Sequence, residues 1–130
     1  MTDKMPSEAT QRPIVLIVED ELFVRMDAAN IIEKAGFGVV EACNADEAIE
    51  ILETRDDISV VVTDVAMPGS MDGVRLAATI RDRWPPIELI LTSGKVRLPS
   101  QWLPDRGKFL AKPYPPQHLV AAVQEFARLN

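Results

Sequence analysis

Five short apolar runs punctuate the chain, and the first is apolar at every position: Ile14–Val18 reads IVLIV. A strand with one wet face would alternate. An unbroken β-branched run marks a strand covered on both faces, as in a parallel sheet flanked by helices. Gly38–Ala42 (GVVEA), Ile58–Val62 (ISVVV), Glu88–Leu91 (ELIL) and Phe109–Ala111 (FLA) predict four further strands. Between the runs the spacing becomes helical. Leu22, Met26 and Ala29 share one stripe, with Val24, Ala28, Ile31 and Ala35 beside it and Gly36 placed as a C-terminal cap. Asn44 predicts the start of a second helix, with Glu47 as capping-box partner and Ala45, Ala48, Ile49 and Leu52 as its apolar face. A third helix is predicted from Gly73 to Trp84, capped by Asp72 and stopped by Pro85-Pro86. A last one is predicted from about Pro116 to Leu129, with Leu119, Val120, Val123 and Phe126 inward. Strands alternating with helices predict an α/β fold, doubly wound around a parallel sheet. From Gly94 to Lys108 the chain carries Pro99, Pro104 and Gly107, which predicts at most a turn or two in place of a full helix.

Composition narrows the function. At 130 residues, 47% of them apolar, the chain fits one domain with a real core. Residues 1–12 are polar and read as a flexible leader, with the folded domain over 13–130. The net charge of −6 and absence of a basic stripe argue against nucleic acid as a direct partner. One cysteine, Cys43, excludes an internal disulfide, and it reads as a small buried residue. No apolar run approaches the ~20 residues that span a bilayer. The N-terminus lacks the apolar core of a secretory signal, so the expected location is the cytoplasm.

Candidate chemistry sits at the predicted strand ends, where open α/β sheets bind ligands. Strand 1 ends in Glu19-Asp20, strand 3 in Asp64, strand 4 in Thr92-Ser93 and strand 5 in Lys112. Taken singly, Asp20 reads as a helix cap, Thr92 as an ordinary strand residue and Lys112 as a solvated charge. Together they converge on one rim of a parallel sheet. Clustered carboxylates repel unless a cation joins them. Oxygen ligands without His or Cys suit a hard ion, Mg²⁺. A carboxylate can also attack phosphorus and become an aspartyl phosphate, whose oxygens an ammonium and a hydroxyl would stabilise.

In the acidic pair of IVED, the VVTDVAMPG segment, the LTSG segment and the AKPY segment, in that order, the chain closely resembles the receiver domain of bacterial two-component response regulators. The resemblance runs from Ile14 to Leu129. It implies a five-stranded parallel sheet of order 2-1-3-4-5 (flavodoxin-like) with five helices, the fourth degenerate here. It implies Asp64 as phosphoacceptor, with Glu19, Asp20, Asp64 and the backbone carbonyl of Ala66 around Mg²⁺. Thr92 becomes the switch hydroxyl, Lys112 the phosphate-facing ammonium and Phe109 the aromatic switch, and a cis bond is implied before Pro113. The expected function is that of a single-domain regulator without an output domain. It would take a phosphoryl group from a sensor histidine kinase and signal by binding a downstream protein or a histidine phosphotransfer protein, as a monomer or weak homodimer. It would be a phosphoacceptor and not a turnover enzyme, and no organic cofactor is expected.

Rival readings fare worse on the residues. A haloacid-dehalogenase-type phosphatase needs a second acid two residues after the nucleophile, where this chain has Ala66. A flavodoxin-like nucleotide binder would place a Ser/Thr/Gly loop where Glu19-Asp20-Glu21 stands. A phosphorylation-independent interaction module, a relay intermediate and a phosphate sink remain as alternatives within the receiver class. The loop MPGSMDG is one residue longer than is common in the family. His118 reads as solvated, Trp84 as packed at a helix end, and Trp102 as either an exposed contact or an anchor for its segment.

Overall fold

The computed structural model describes residues 13–66, 72–94 and 103–128. Five parallel strands, β1 (Ile14–Val18), β2 (Gly38–Ala42), β3 (Ile58–Asp64), β4 (Glu88–Ser93) and β5 (Gly107–Ala111), form one sheet in the order β2-β1-β3-β4-β5. Among the described residues four helices accompany it: α1 (Leu22–Lys34), α2 (Ala45–Thr54), α3 (Gly73–Arg83) and α4 (Pro116–Arg128).

The unbroken apolar runs follow from two-sided burial. On one face Leu16, Val18, Val61, Leu89 and Leu91 pack with Ala48 and Leu52 of α2 and Leu76, Ala77 and Ile80 of α3. On the other, Val15, Ile17, Val60, Val62 and Ile90 meet Ala28, Ala29 and Ile32 of α1 and Leu119, Val123 and Phe126 of α4. Neither face of the central strands is left to water over most of their length, so their inner positions are apolar, with the half-buried Ser59 near the start of β3 as a polar exception.

Three strands differ from their predicted limits. β3 and β4 run on through Thr63-Asp64 and Thr92-Ser93, because ladder pairing continues past the last apolar residue, with Asp64 opposite Thr92 and Ser93 opposite Ala111. β5 starts two residues earlier, at Gly107, opposite Leu89. The helix ends behave as their chemistry dictates. Asn44 Oδ1 accepts from the N–H of Glu47 at 2.8 Å, but the Glu47 carboxylate takes the N–H of Cys43 at 2.7 Å, one residue outside the usual capping-box partner. Asp72 caps α3 through the N–H of Arg75 at 2.9 Å. Gly36 has φ 103°, and N–H groups of Gly36 and Phe37 return to the carbonyls of Glu33 and Ile32, a Schellman turn.

The predicted stripe of α1 needs correction. Its core face is Ala28, Ala29 and Ile32, whereas Leu22, Phe23 and Met26 are 49%, 79% and 50% exposed. The first turn projects past the end of the sheet, where no strand can cover it. Val120 is half-buried and Cys43 is partly exposed, against the inward reading of each. His118 is exposed, and Trp84 caps α3 with Arg83 stacked over its ring at 4.4 Å. The expected leader, the inserted loop at 67–71, Trp102 and residues 95–102 of the proline-broken stretch lie outside the described residues. The described part of that stretch, 103–106, holds no helix. No helix among the described residues is long and apolar enough to cross a membrane.

Candidate functional site

The strand order places β1 and β3 side by side, while their onward connections run to opposite sides of the sheet. That reversal opens a crevice at the carboxyl ends of the two strands. Glu19 follows β1 and extends its pairing, donating its N–H to the Ala42 carbonyl at 3.0 Å. Asp64 ends β3. Carboxylate oxygens of Glu19, Asp20 and Asp64 all lie within 4.8 Å of one another. Glu19 and Asp64 are buried and Asp20 is exposed, so the cluster has two inner members and one outer.

Lys112 enters from beyond β5. Its N–H donates to the Ser93 carbonyl at 2.8 Å, which extends the β4–β5 pairing by one residue, and the following Lys112–Pro113 bond is cis. Its Nζ donates to Glu19 Oε1 at 2.9 Å and stands 3.3 Å from Asp64 Oδ2. Burial alone would pull the ammonium down. The hydrogen bond to Glu19 and the charges of Glu19 and Asp64 outweigh it, and the pKa ends above its ordinary value. Burial drives Glu19 up from the ordinary carboxylate value, and the Asp64 charge adds to it. The hydrogen bonds from Lys112 and from the Glu21 N–H, at 3.1 Å, offset this only in part.

Thr92 is buried beside Asp64 in the ladder, and its carbonyl accepts the Val65 N–H at 2.8 Å. Thr92, Asp64, Glu19 and Tyr114 line one small cavity. Ala66 is exposed two residues beyond Asp64, and its N–H approaches Asp64 Oδ1 at 3.4 Å.

Residues 15–124 match the family model described as the response regulator receiver domain. The chain belongs to this family. Among curated relatives it is 38% identical over 115 residues to the sensor kinase CckA of Brucella abortus, covering 85% of this chain and 12% of that protein. It is 33% identical over 113 residues to the transcriptional regulatory protein PdtaR of Mycobacterium tuberculosis, covering 85% and 54%. The chain thus spans between an eighth and about half of these relatives. Among solved structures, the receiver domain of the hybrid histidine kinase CckA superposes with a TM-score of 0.74 at 30% identity, covering 88% of this chain and 98% of that one. A response regulator receiver protein from Sinorhizobium medicae gives 0.80 at 27%, covering 90% and 95%. This chain is therefore a receiver domain of two-component systems, a class that accepts phosphoryl on aspartate.

The receiver fold brings together Glu19, Asp20, Asp64, Thr92, Lys112 and Ala66. Phe109 stands apart from them. It is half-buried on β5, opposite Leu91, and packs against the core face that α2 and α3 cover. Two residues at the site escaped sequence reasoning. Gly73 opens α3 and donates its N–H to Val65 O at 2.9 Å. A Cβ there would overlap the Asp64 carbonyl and stand 2.8 Å from Val65 Cα, so α3 can pass behind Asp64 only with glycine. Tyr114 is buried enough that desolvation raises its phenol pKa, and Glu19 and Asp64 add to the rise against an opposing Lys112. Its place directly after Lys112-Pro113 was the available signal.

Proposed function

We propose that this receiver domain takes a phosphoryl group from a phosphohistidine of a sensor kinase onto Asp64 and reports that state by binding another protein. The carrying observation is one buried carboxylate, Asp64, at a β-strand end, sharing oxygen-to-oxygen distances of at most 4.8 Å with Glu19 and Asp20 and facing the Lys112 ammonium at 3.3 Å. In the transfer, an Asp64 oxygen forms a P–O bond as the P–N bond to the donor imidazole breaks. The electron pair stays on the imidazole nitrogen, which takes a proton from solvent. Lys112 then meets the transferred oxygens, and the Thr92 hydroxyl, on the neighbouring strand, is the group that would turn toward them.

The donor set fits Mg²⁺. It is all oxygen, carries net negative charge, and its span is comparable to the ~3–4 Å between ligand positions around an ion that binds oxygen at ~2.1 Å. Glu19, Asp20, Asp64 and the Ala66 carbonyl would hold it. When bound, Mg²⁺ would supply charge neutralisation for the phosphoryl oxygens. Among the described residues, Lys112 is the side-chain cation paired with the buried acids Glu19 and Asp64.

The exposed apolar turn of α1 supports a macromolecular donor. Phe23, Val24 and Ile31 border a groove of about 560 Å³ that continues to Lys112, Pro113 and Tyr114. An apolar patch beside the site's entrance is where a protein presenting phosphohistidine would rest. The direct test uses acetyl phosphate and Mg²⁺, followed by mass spectrometry. Wild type should gain one phosphoryl group and Asp64→Asn none. Equal labelling of Asp64→Asn would move the acceptor elsewhere.

A further inference from the structure

Arg25 lies one turn into α1, and its guanidinium reaches back over the acidic loop. Nη1 donates to the carbonyl of Glu19 at 3.0 Å. Nε donates to Glu41 Oε1, next to the end of β2, at 3.1 Å. The side chain is only 16% exposed, so this is a packed contact and not a solvated arm. The Glu19 carbonyl belongs to the planar peptide that joins Glu19 to Asp20. Its direction therefore helps set where Asp20 projects. The loop is held at other points too: Lys112 Nζ donates to Glu19 Oε1 at 2.9 Å, and the Arg25 N–H donates to the Glu21 carbonyl at 2.9 Å. The Glu19 N–H is bound to Ala42 O at 3.0 Å, and the Glu21 N–H is bound to Glu19 Oε2 at 3.1 Å. None of these bonds is made to the Glu19–Asp20 peptide itself, which Arg25 Nη1 holds from the helix side. Like charges on Glu19, Asp20 and Asp64 push this loop outward, and Arg25 opposes that push through a carbonyl.

We propose that Arg25 is a positioning residue for the divalent-cation site. By holding the Glu19 carbonyl, with Glu41 steering the guanidinium, it keeps Asp20 gathered with Glu19 and Asp64. The inference rests on the reading of these three acids as a Mg²⁺ site and extends it to two residues outside the ligand set. The planar fork of arginine serves both acceptors at once from fixed directions, which a single lysine ammonium does not reproduce.

The test compares wild type, Arg25→Gln, Arg25→Lys and Glu41→Gln by calorimetric Mg²⁺ titration and by amide exchange of Asp20 and Glu21 in metal-free protein. Arg25→Gln should weaken Mg²⁺ about tenfold, the scale of losing an outer-shell partner. Glu41→Gln should weaken it less, about threefold, because the Glu19 contact survives with a looser guanidinium. Asp20 and Glu21 amides should exchange faster in Arg25→Gln. Mg²⁺ affinity within about twofold of wild type in Arg25→Gln overturns the proposal, including when that variant merely melts earlier, which is the signature of a structural role alone. Should Arg25→Gln fail to fold, Arg25→Lys and Glu41→Gln decide on the same criterion. If wild type itself binds no Mg²⁺, the cation reading fails. The exchange data then decide the role of Arg25, and unchanged Asp20 and Glu21 amides overturn it.

Discussion

Glu19 and Lys112 share one ion pair, yet both pKa values rise, because burial outweighs the pairing for the acid and pairing outweighs burial for the base. The acid's shift has a definite sign for stability. Between the ordinary value of 4.5 and the raised one, the folded protein holds a proton that the unfolded chain has lost. Metal-free protein should therefore lose stability as pH rises through that window. Glu19→Gln, which mimics the protonated form, should be more stable than wild type at neutral pH, by on the order of 1 kcal/mol or ~3 °C. The gap should close toward pH ~4. Thermal unfolding in chelator at both pH values checks this, and a Gln variant less stable at neutral pH would contradict it. The same substitution should weaken Mg²⁺, which needs deprotonated ligands. Stability and cation binding thus pull on this residue in opposite directions.

At the scale of elements, the site depends on how closely α3 approaches the end of β3. Gly73 makes that approach possible, since its missing side chain leaves room for the Asp64 carbonyl. Gly73→Ala should cost about 2–3 kcal/mol through overpacking against backbone that has nowhere to move. It should also slow labelling of Asp64 by displacing its peptide. Denaturant unfolding and the acetyl phosphate assay read the two effects, and a variant with wild-type stability would remove Gly73 from this role. The return from α3 into β4 and the approach to β5 are tied by a second arginine. Arg81 donates to the carbonyls of Pro85 and Ile87, both at 2.7 Å, and of Asp105 at 2.9 Å. Backbone groups in a stretch with no helix among its described residues thereby find a charged donor. Neither glycine nor arginine announced these roles in sequence, because each acts on chain segments brought near only by the fold.

For the whole molecule, protection should follow burial across the sheet. β1, β3 and β4 are covered on both faces, whereas β5 is an edge strand with no fully buried residue. Amides of Leu16, Val61 and Ile90 should exchange only by global unfolding, and those within β5 at least about tenfold faster. Hydrogen exchange resolved by NMR checks the order, and β5 amides as slow as those of β3 would refute it. The edge position matters because β5 carries Phe109 and leads into Lys112, so the site's cation is delivered by the sheet's less protected side.

The sequence by itself determined the sheet, its parallel sense and the rim where chemistry gathers. Continuous apolar runs such as IVLIV report two-sided burial, and the polar residues that follow each run mark the rim of the sheet, although Glu19, Asp64 and Thr92 are themselves buried there. Caps at Asn44, Asp72 and Gly36 were legible for the same reason, since each is decided by neighbours a few residues away. The exposed turn at Leu22, Phe23 and Met26 was not, because helical spacing shows that residues share a face but not whether a strand lies beneath it. Nor could spacing show that Arg25 reaches the Glu19 carbonyl, that Gly73 clears Asp64, or that Lys112 chooses Glu19 first, across 93 residues of chain. Those contacts depend on angles and distances between elements, and only the packed tertiary structure decides them.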